Sequence, residues 1–194
     1  MLKLIFAISV VLISTYIGFA YGDTFRKRRD ELKEILKALT ILENDIVYGT
    51  TPLPEALGNL SHKVCEPVTN FIKAITNRLI KGDIESVYGG VLEEFLLLES
   101  EFYLSYEDKK IMGDFFKSLG ESGVYGQEKI FSLAIEGIKM NLKDADESAK
   151  KNIKLYRYLG VCFGAMIMIL IIWNVNNNIF NLYEFYVMTA NYLK

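Results

Sequence analysis

Histidine, cysteine, tryptophan and proline are all scarce in this 194-residue chain, which has one His, two Cys, one Trp and three Pro. His62 with Cys65 three residues on gives two potential metal ligands. A tetrahedral site needs more, so the ordinary reading of His62 is a surface side chain. Cys65 lies in a charged stretch and Cys162 in an apolar one, and no disulfide framework follows from that pair. The phosphate-loop pattern GxxxxGK[ST], the GxSxG elbow, HExxH and a paired CxxC are all missing, so no catalytic motif of strong specificity is present and no cofactor is implied.

Charge is nearly missing from both ends. Of 46 Asp, Glu, Lys and Arg residues, 42 fall between Asp23 and Lys154, leaving Lys3, Arg157, Glu184 and Lys194 for the other 62 positions. That segregation explains a mean hydropathy of +0.20 in a chain with 24% charged residues. It excludes a simple soluble enzyme, a disordered polyampholyte and a polytopic transporter, because only two stretches are apolar enough to span a bilayer.

The first stretch, Leu4 to Gly22, holds 19 uncharged residues, or roughly 28 Å of helix at about 1.5 Å per residue. Its rival reading is a signal peptide, with Lys3 as the basic start and Ala20-Tyr21-Gly22 imitating a cleavage site. The cluster Arg26-Lys27-Arg28-Arg29 resists translocation and favours an uncleaved anchor. The second stretch runs from Tyr158 to Trp173 and extends back to Leu155 if Arg157 lifts its head to the interface. Lys150, Lys151, Lys154 and Arg157 precede it, so each span carries its basic residues on the side of the middle segment. The positive-inside rule then predicts a cytoplasmic middle and two termini outside. Four regions are expected: a span over 1–22, a soluble body over 23–154, a second span over 155–173, and a tail over 174–194. The tail carries Ile179, Phe180, Leu182, Tyr183, Tyr186 and Val187, and reads either as an interfacial aromatic segment or as a disordered one.

The middle segment reads as helix almost throughout. Leu32, Ile35, Leu36, Leu39, Leu42, Ile46 and Val47 recur at helical spacing, with Glu31, Lys33, Glu34, Lys37 and Glu43 opposite, in a helix growing out of the first span. Phe131, Ile135, Ile138, Leu142, Ala145, Ala149 and Ile153 form a matching stripe in a helix that runs into the second span, and Ala145 and Ala149 allow close approach. Shorter helices are predicted over Leu53–Leu60, capped by Thr50 or Thr51; from Pro67 to Lys81, ended by Gly82; over Ile84–Tyr103; and over Glu107–Leu119, closed by Gly120. The fold class is all-α: a six-helix cytoplasmic bundle flanked by two transmembrane helices. Glu93, Glu94, Glu99 and Glu101 read as a solvated face, because no Glu-x-x-His partner accompanies them. With 19 basic and 23 acidic residues in the soluble stretch, Lys109-Lys110 and the Arg26–Arg29 cluster read as surface charge and lipid-headgroup anchors, and nucleic acid is not an expected partner.

One constellation is specific. Leu42 to Ala56, with the block Tyr48-Gly49-Thr50-Thr51-Pro52-Leu53-Pro54-Glu55-Ala56, follows an N-terminal anchor opening Met1-Leu2-Lys3-Leu4-Ile5. It resembles the stage III sporulation protein AB family of endospore-forming bacteria. Leu119-Gly120, Gln127, Lys151, Lys154, Leu159-Gly160 and Gly164 resemble the family's C-terminal pattern, so the likeness covers residues 1 to about 173. Two departures stand out: Glu121-Ser122-Gly123 replaces a polar pair after Leu-Gly, and the chain continues past the second span.

The resemblance implies a platform related to those of type II secretion and type IV pilus machines, in the mother-cell membrane facing the forespore. Its implied partners are the sporulation ATPase (stage III sporulation protein AA), other proteins of the same channel complex and membrane lipid, with a homo-oligomer possible. Tyr48, Gly49, Thr51, Pro52, Pro54 and Glu55 form the candidate partner surface, because two nearby prolines pre-order the turn. The competing reading has Tyr48 and Leu53 plugging the core while Gly49 merely permits the turn. A scaffold or sensor working without the ATPase, or a membrane enzyme with a polar pocket, are the other function classes.

Overall fold

A computed structural model describes residues 2–82, 87–121 and 126–192. Among them are six α-helices and no strand: α1 (Leu2–Glu43), α2 (Leu53–Leu60), α3 (Val68–Lys81), α4 (Val87–Leu97), α5 (Tyr106–Glu121) and α6 (Gln127–Tyr192). A π-helical turn, Asn44–Tyr48, follows α1, and a 3-10 turn, Glu99–Glu101, follows α4. The chain divides into two compact units, Thr24–Lys150 and the pair Met1–Asp23 with Lys151–Lys194. The helices α1 and α6 each contribute to both units. Both are long and apolar enough to cross a membrane.

In the unit Thr24–Lys150 the core is the set of stripes the spacing predicts. Leu32, Ile35, Leu39 and Leu42 of α1 and Ile46 of the π-turn are buried, as are Val68, Phe71, Ile72 and Ile75 of α3 and Phe131, Ile138, Ala145 and Ala149 of α6. Phe71 is the hub of an aromatic cluster, with ring centroids 4.4 Å from Phe95, 6.1 Å from Phe102 and 6.4 Å from Phe116. Phe115 continues it to Phe131 at 5.0 Å. These tilted and edge-on geometries suit ring quadrupoles.

The structure differs from the sequence expectation in several places. The fourth helix ends at Leu97 instead of reaching Tyr103, while its predicted start at Ile84 lies outside the described residues. Beyond the 3-10 turn the chain leaves the helix, with Phe102 and Leu104 buried and Tyr103 exposed between them, and the Tyr103 N–H is taken by the Glu31 carboxylate. That alternation buries two large side chains where a helix would bury one. The helix α5 starts at Tyr106 and runs through Gly120 to Glu121. Neither Thr50 nor Thr51 caps α2; Pro52 occupies the N-cap without a side-chain hydrogen bond, and Pro54 sits in the first turn. Finally, α6 continues past Trp173 to Tyr192, so the tail's backbone is helical over those residues.

Candidate interaction surface

The candidate turn is built by an abrupt change of helical pitch. After Glu43 the chain widens into the π-turn, whose last bond runs from the Gly49 N–H to the Asn44 carbonyl at 2.8 Å. The next donor, the Thr51 N–H, reaches back to the Asp45 carbonyl at 2.9 Å. Between them Thr50 is held at a φ of 52°, the left-handed region. Any side chain at Gly49 would place its Cβ 2.6 Å from the Asp45 carbonyl oxygen, so the tight return requires glycine here. Pro52 and Pro54 then fix the entry to α2.

This geometry separates the candidate residues. Tyr48 is 68% exposed, which removes it from the core-plug reading, whereas Leu53 packs half-buried against the core. Gly49, Pro52, Pro54 and Glu55 are exposed and Thr51 is half-buried. Asp45, at the start of the turn, lies 3.9 Å from Lys63 Nζ. His62 and Cys65 are exposed beside α2, the Cys65 N–H donating to Glu34 Oε2 at 3.0 Å, and no group of three potential metal ligands forms among the described residues.

The basic flank is less uniform than its sequence suggests. Arg26, Lys27, Lys150, Lys151, Lys154 and Arg157 are exposed, whereas Arg28 and Arg29 are half-buried. Arg29 pairs with Asp30 at 2.8 Å, and Lys150 with Asp146 at 2.6 Å. The Lys150 ammonium holds the Asp146 carboxyl below the usual carboxylate range. Arg28 instead reaches the fully buried Asp108 through two bonds, Nε to Oδ2 at 2.8 Å and Nη2 to Oδ1 at 3.1 Å.

Asp108 is the centre of a network that sequence reading missed. It also accepts from the Ser105 N–H at 2.8 Å and from Asn141 Nδ2 of α6 at 2.7 Å. In return the Asp108 N–H donates to Ser105 Oγ at 3.3 Å, so Ser105-Tyr106-Glu107-Asp108 is a capping box opening α5. Burial pushes the Asp108 carboxyl up, but the Arg28 guanidinium and Ser105 outweigh it and hold the group below its ordinary value. Arg28 is correspondingly raised by its bond to Asp108. Glu31, expected on the polar face of α1, is buried; desolvation lifts its pKa to about 7 against the Tyr103 N–H bond that favours its charge. Glu94 likewise is not on a solvated face: it is buried and takes Arg78 Nε at 2.7 Å, while Glu93 outside takes the same guanidinium.

A second missed feature lies in the unit formed by Met1–Asp23 and Lys151–Lys194. Gly18 and Gly160 face each other so closely that a Cβ on Gly18 would come within 2.6 Å of the Tyr156 carbonyl oxygen, and one on Gly160 within 2.9 Å of that of Ser14. Gly164 opposes Val11 and Gly22 opposes Ile153, so the two helices run antiparallel here. Ser14 Oγ donates to the Gly160 carbonyl at 2.9 Å, and Tyr21 meets Tyr156 edge-on at 4.6 Å. The signal was legible: Gly18–Gly22 and Gly160–Gly164 are both GxxxG pairs in apolar runs.

Comparison with known proteins agrees with this architecture. The chain is 26% identical over 171 residues to stage III sporulation protein AB of Bacillus subtilis (strain 168), covering 88% of this chain and 99% of that protein. A solved structure of stage III sporulation protein AB (SpoIIIAB) superposes with a TM-score of 0.59 at 23% identity, over 64% of this chain and 97% of that one, and so shares the fold. The family model for stage III sporulation protein AB matches residues 3–172, and the chain therefore belongs to that family, whose role is in sporulation.

Proposed function

We propose that this chain is a non-enzymatic membrane platform of the apparatus joining mother cell and forespore, and that its Thr24–Lys150 unit docks the partner sporulation ATPase from the mother-cell cytoplasm. In this reading both termini lie outside the cytoplasm, as the distribution of basic residues favours. The observation that carries the proposal is continuity: α1 and α6 are unbroken helices that begin or end in apolar stretches and supply the stripes on which the charged bundle is built. Such helices suit a body that receives load and stays attached to the membrane. Two of the buried carboxylates are paired with arginines, Asp108 with Arg28 and Glu94 with Arg78, which suits structural work better than proton transfer.

The docking surface in this reading is the Tyr48–Glu55 turn. Its backbone is tied by the bonds to Asn44 and Asp45, so little conformational entropy is lost on binding. Tyr48 supplies an exposed aromatic anchor and Glu55 a charge at the start of α2. Glu55→Lys and Tyr48→Ala in the full chain are expected to lower co-purification of the ATPase about tenfold, with helicity unchanged. A photo-crosslinker at position 48 in sporulating cells is expected to capture the ATPase. Unchanged pull-down by both variants would overturn this surface.

A further inference from the structure

The helix α4 carries two apolar stripes. Val91 and Phe95 face the core and are buried, whereas Tyr88, Leu92 and Leu96, spaced four apart, remain exposed, Leu96 at 67%. Beside them α5 presents Tyr106, 82% exposed, and Gly113, whose missing side chain leaves room next to the Tyr88 ring. The result is a mostly apolar groove of about 290 Å³ between the two helices, floored by Val91 and Phe95. Its polar lining is Lys109, Lys110 and a single acid, Asp114. Lys117 stands over the Tyr88 ring at 5.8 Å and adds a further positive charge.

We infer that the α4–α5 groove is a second protein-docking site, which takes an amphipathic helix of another protein with leucine-like anchors on one face and acidic residues beside them. The four-residue spacing of Tyr88, Leu92 and Leu96 matches one face of a helix, so an incoming helix meets a row of contacts rather than a single point. Three lysines against one aspartate set the sign of the flanking charge. A second copy docking the same groove two-fold would bring Lys109 and Lys110 toward their own symmetry mates, which disfavours that occupant. A bilayer surface is disfavoured by the concave shape and by Asp114. This site does not depend on the ATPase reading, which uses the turn before α2.

The test uses the full chain in zwitterionic nanodiscs and two designed helical peptides with the same leucine face, one flanked by glutamates and one by lysines. The acidic peptide is expected to bind and the basic one not to. Leu96→Glu is expected to weaken binding of the acidic peptide by about tenfold or more. Lys110→Glu is expected to weaken it by about threefold to tenfold and to improve the basic peptide. Helicity and melting temperature serve as folding controls, since both substituted side chains are exposed. Equal binding of the two peptides, or binding unaffected by Leu96→Glu, would overturn the proposal. So would dissociation of a dimer by Leu96→Glu, which would make a second copy the occupant. Loss of co-flotation with anionic vesicles in Lys110→Glu, without any peptide effect, would make it a lipid surface and overturn it too.

Discussion

In the helix pair formed by Met1–Asp23 and Lys151–Lys194 the backbones nearly touch at Gly18 and Gly160, and the Ser14 hydroxyl donates to the Gly160 carbonyl across the crossing. In the unit Thr24–Lys150 the helices are held apart by phenylalanines, and a carboxylate with four donors sits among them. The difference follows from solvent. Lipid tails are as apolar as leucine, so two spans gain nothing from burying apolar area against each other and rely on close packing and hydrogen bonds. In water the aromatic burial is itself the driving force, and it is large enough to carry a desolvated ion pair along with it. Each region should therefore break under a different kind of substitution.

The largest effect is expected at the centre of the network. Asp108→Ala strands Arg28 and Asn141 and removes the capping box of α5, at a cost of about 3–5 kcal/mol. Chemical denaturation of the full chain measures it, and hydrogen exchange should show the first turn of α5 opening first. Replacing both partners by apolar residues, Arg28→Met with Asp108→Leu, is expected to recover much of that loss. If Asp108→Ala costs less than about 1 kcal/mol, typical of an exposed pair, the contrast between the regions fails.

Next comes the crossing. Gly160→Leu improves helix propensity yet drives a side chain into the Ser14 carbonyl and Gly18, which is expected to cost about 1–3 kcal/mol of pairing. Spin labels at Ile17 and Leu159 should move apart while total helicity holds. The same glycine-to-leucine exchange at Gly58 of α2, where the nearest atom to a new Cβ is Thr76 Cγ2 at 4.0 Å, should be far milder.

The third prediction concerns pH and belongs to the bundle alone. Burial raises the Glu31 carboxyl from 4.5 to about 7, so the folded state binds this proton more tightly than the unfolded state. The stability it contributes is complete below pH 4.5 and is lost as pH rises through about 7. Asp108 acts oppositely: its carboxyl is lowered, and its contribution is lost as pH falls below its ordinary value of 3.8. Melting temperature should therefore fall between pH 5 and 7.5 by an amount equivalent to about 1 kcal/mol. Glu31→Gln keeps an acceptor for the Tyr103 N–H and should flatten that slope. A slope unchanged in Glu31→Gln would place its origin elsewhere.

The uneven legibility of the molecule has the same physical root. The stripes of α1, α3 and α6 were readable because burial of apolar faces leaves a period in the sequence, and Gly82 marked its helix end by adopting a φ of 70°. The exit after α4 was not readable, since the non-helical stretch at Phe102–Leu104 depends on a carboxylate 72 positions away, Glu31, taking the Tyr103 N–H. Glu31, Glu94 and Arg28 look like any surface charge until tertiary partners are known. At the candidate turn the Tyr-Gly-x-Thr-Pro-Leu-Pro pattern located the bend, but the π-turn that exposes Tyr48 leaves no period of its own. The two GxxxG pairs were in plain view, and a search for small residues four apart would have found the crossing.

The smallest expected effect probes where the two chemistries meet. The Arg157 guanidinium carbon lies 4.8 Å from the Phe19 ring centroid, a cation–π contact midway along α6, where its apolar stretch begins. Arg157→Gln removes that attraction, worth about 0.5–1 kcal/mol at an exposed site, and one of four basic residues before the second span. Pair stability should therefore drop slightly, with the Tyr21–Tyr156 edge contact retained. Topology should not change, because Lys150, Lys151 and Lys154 remain. Membrane-impermeant maleimide added outside intact cells reads this directly, since Cys65 is exposed in the bundle and should stay unlabelled in both proteins. Labelling of Cys65 in Arg157→Gln alone would mean that one charge sets the orientation. Labelling in the unsubstituted chain would place the bundle outside and remove the basis for a cytoplasmic docking body.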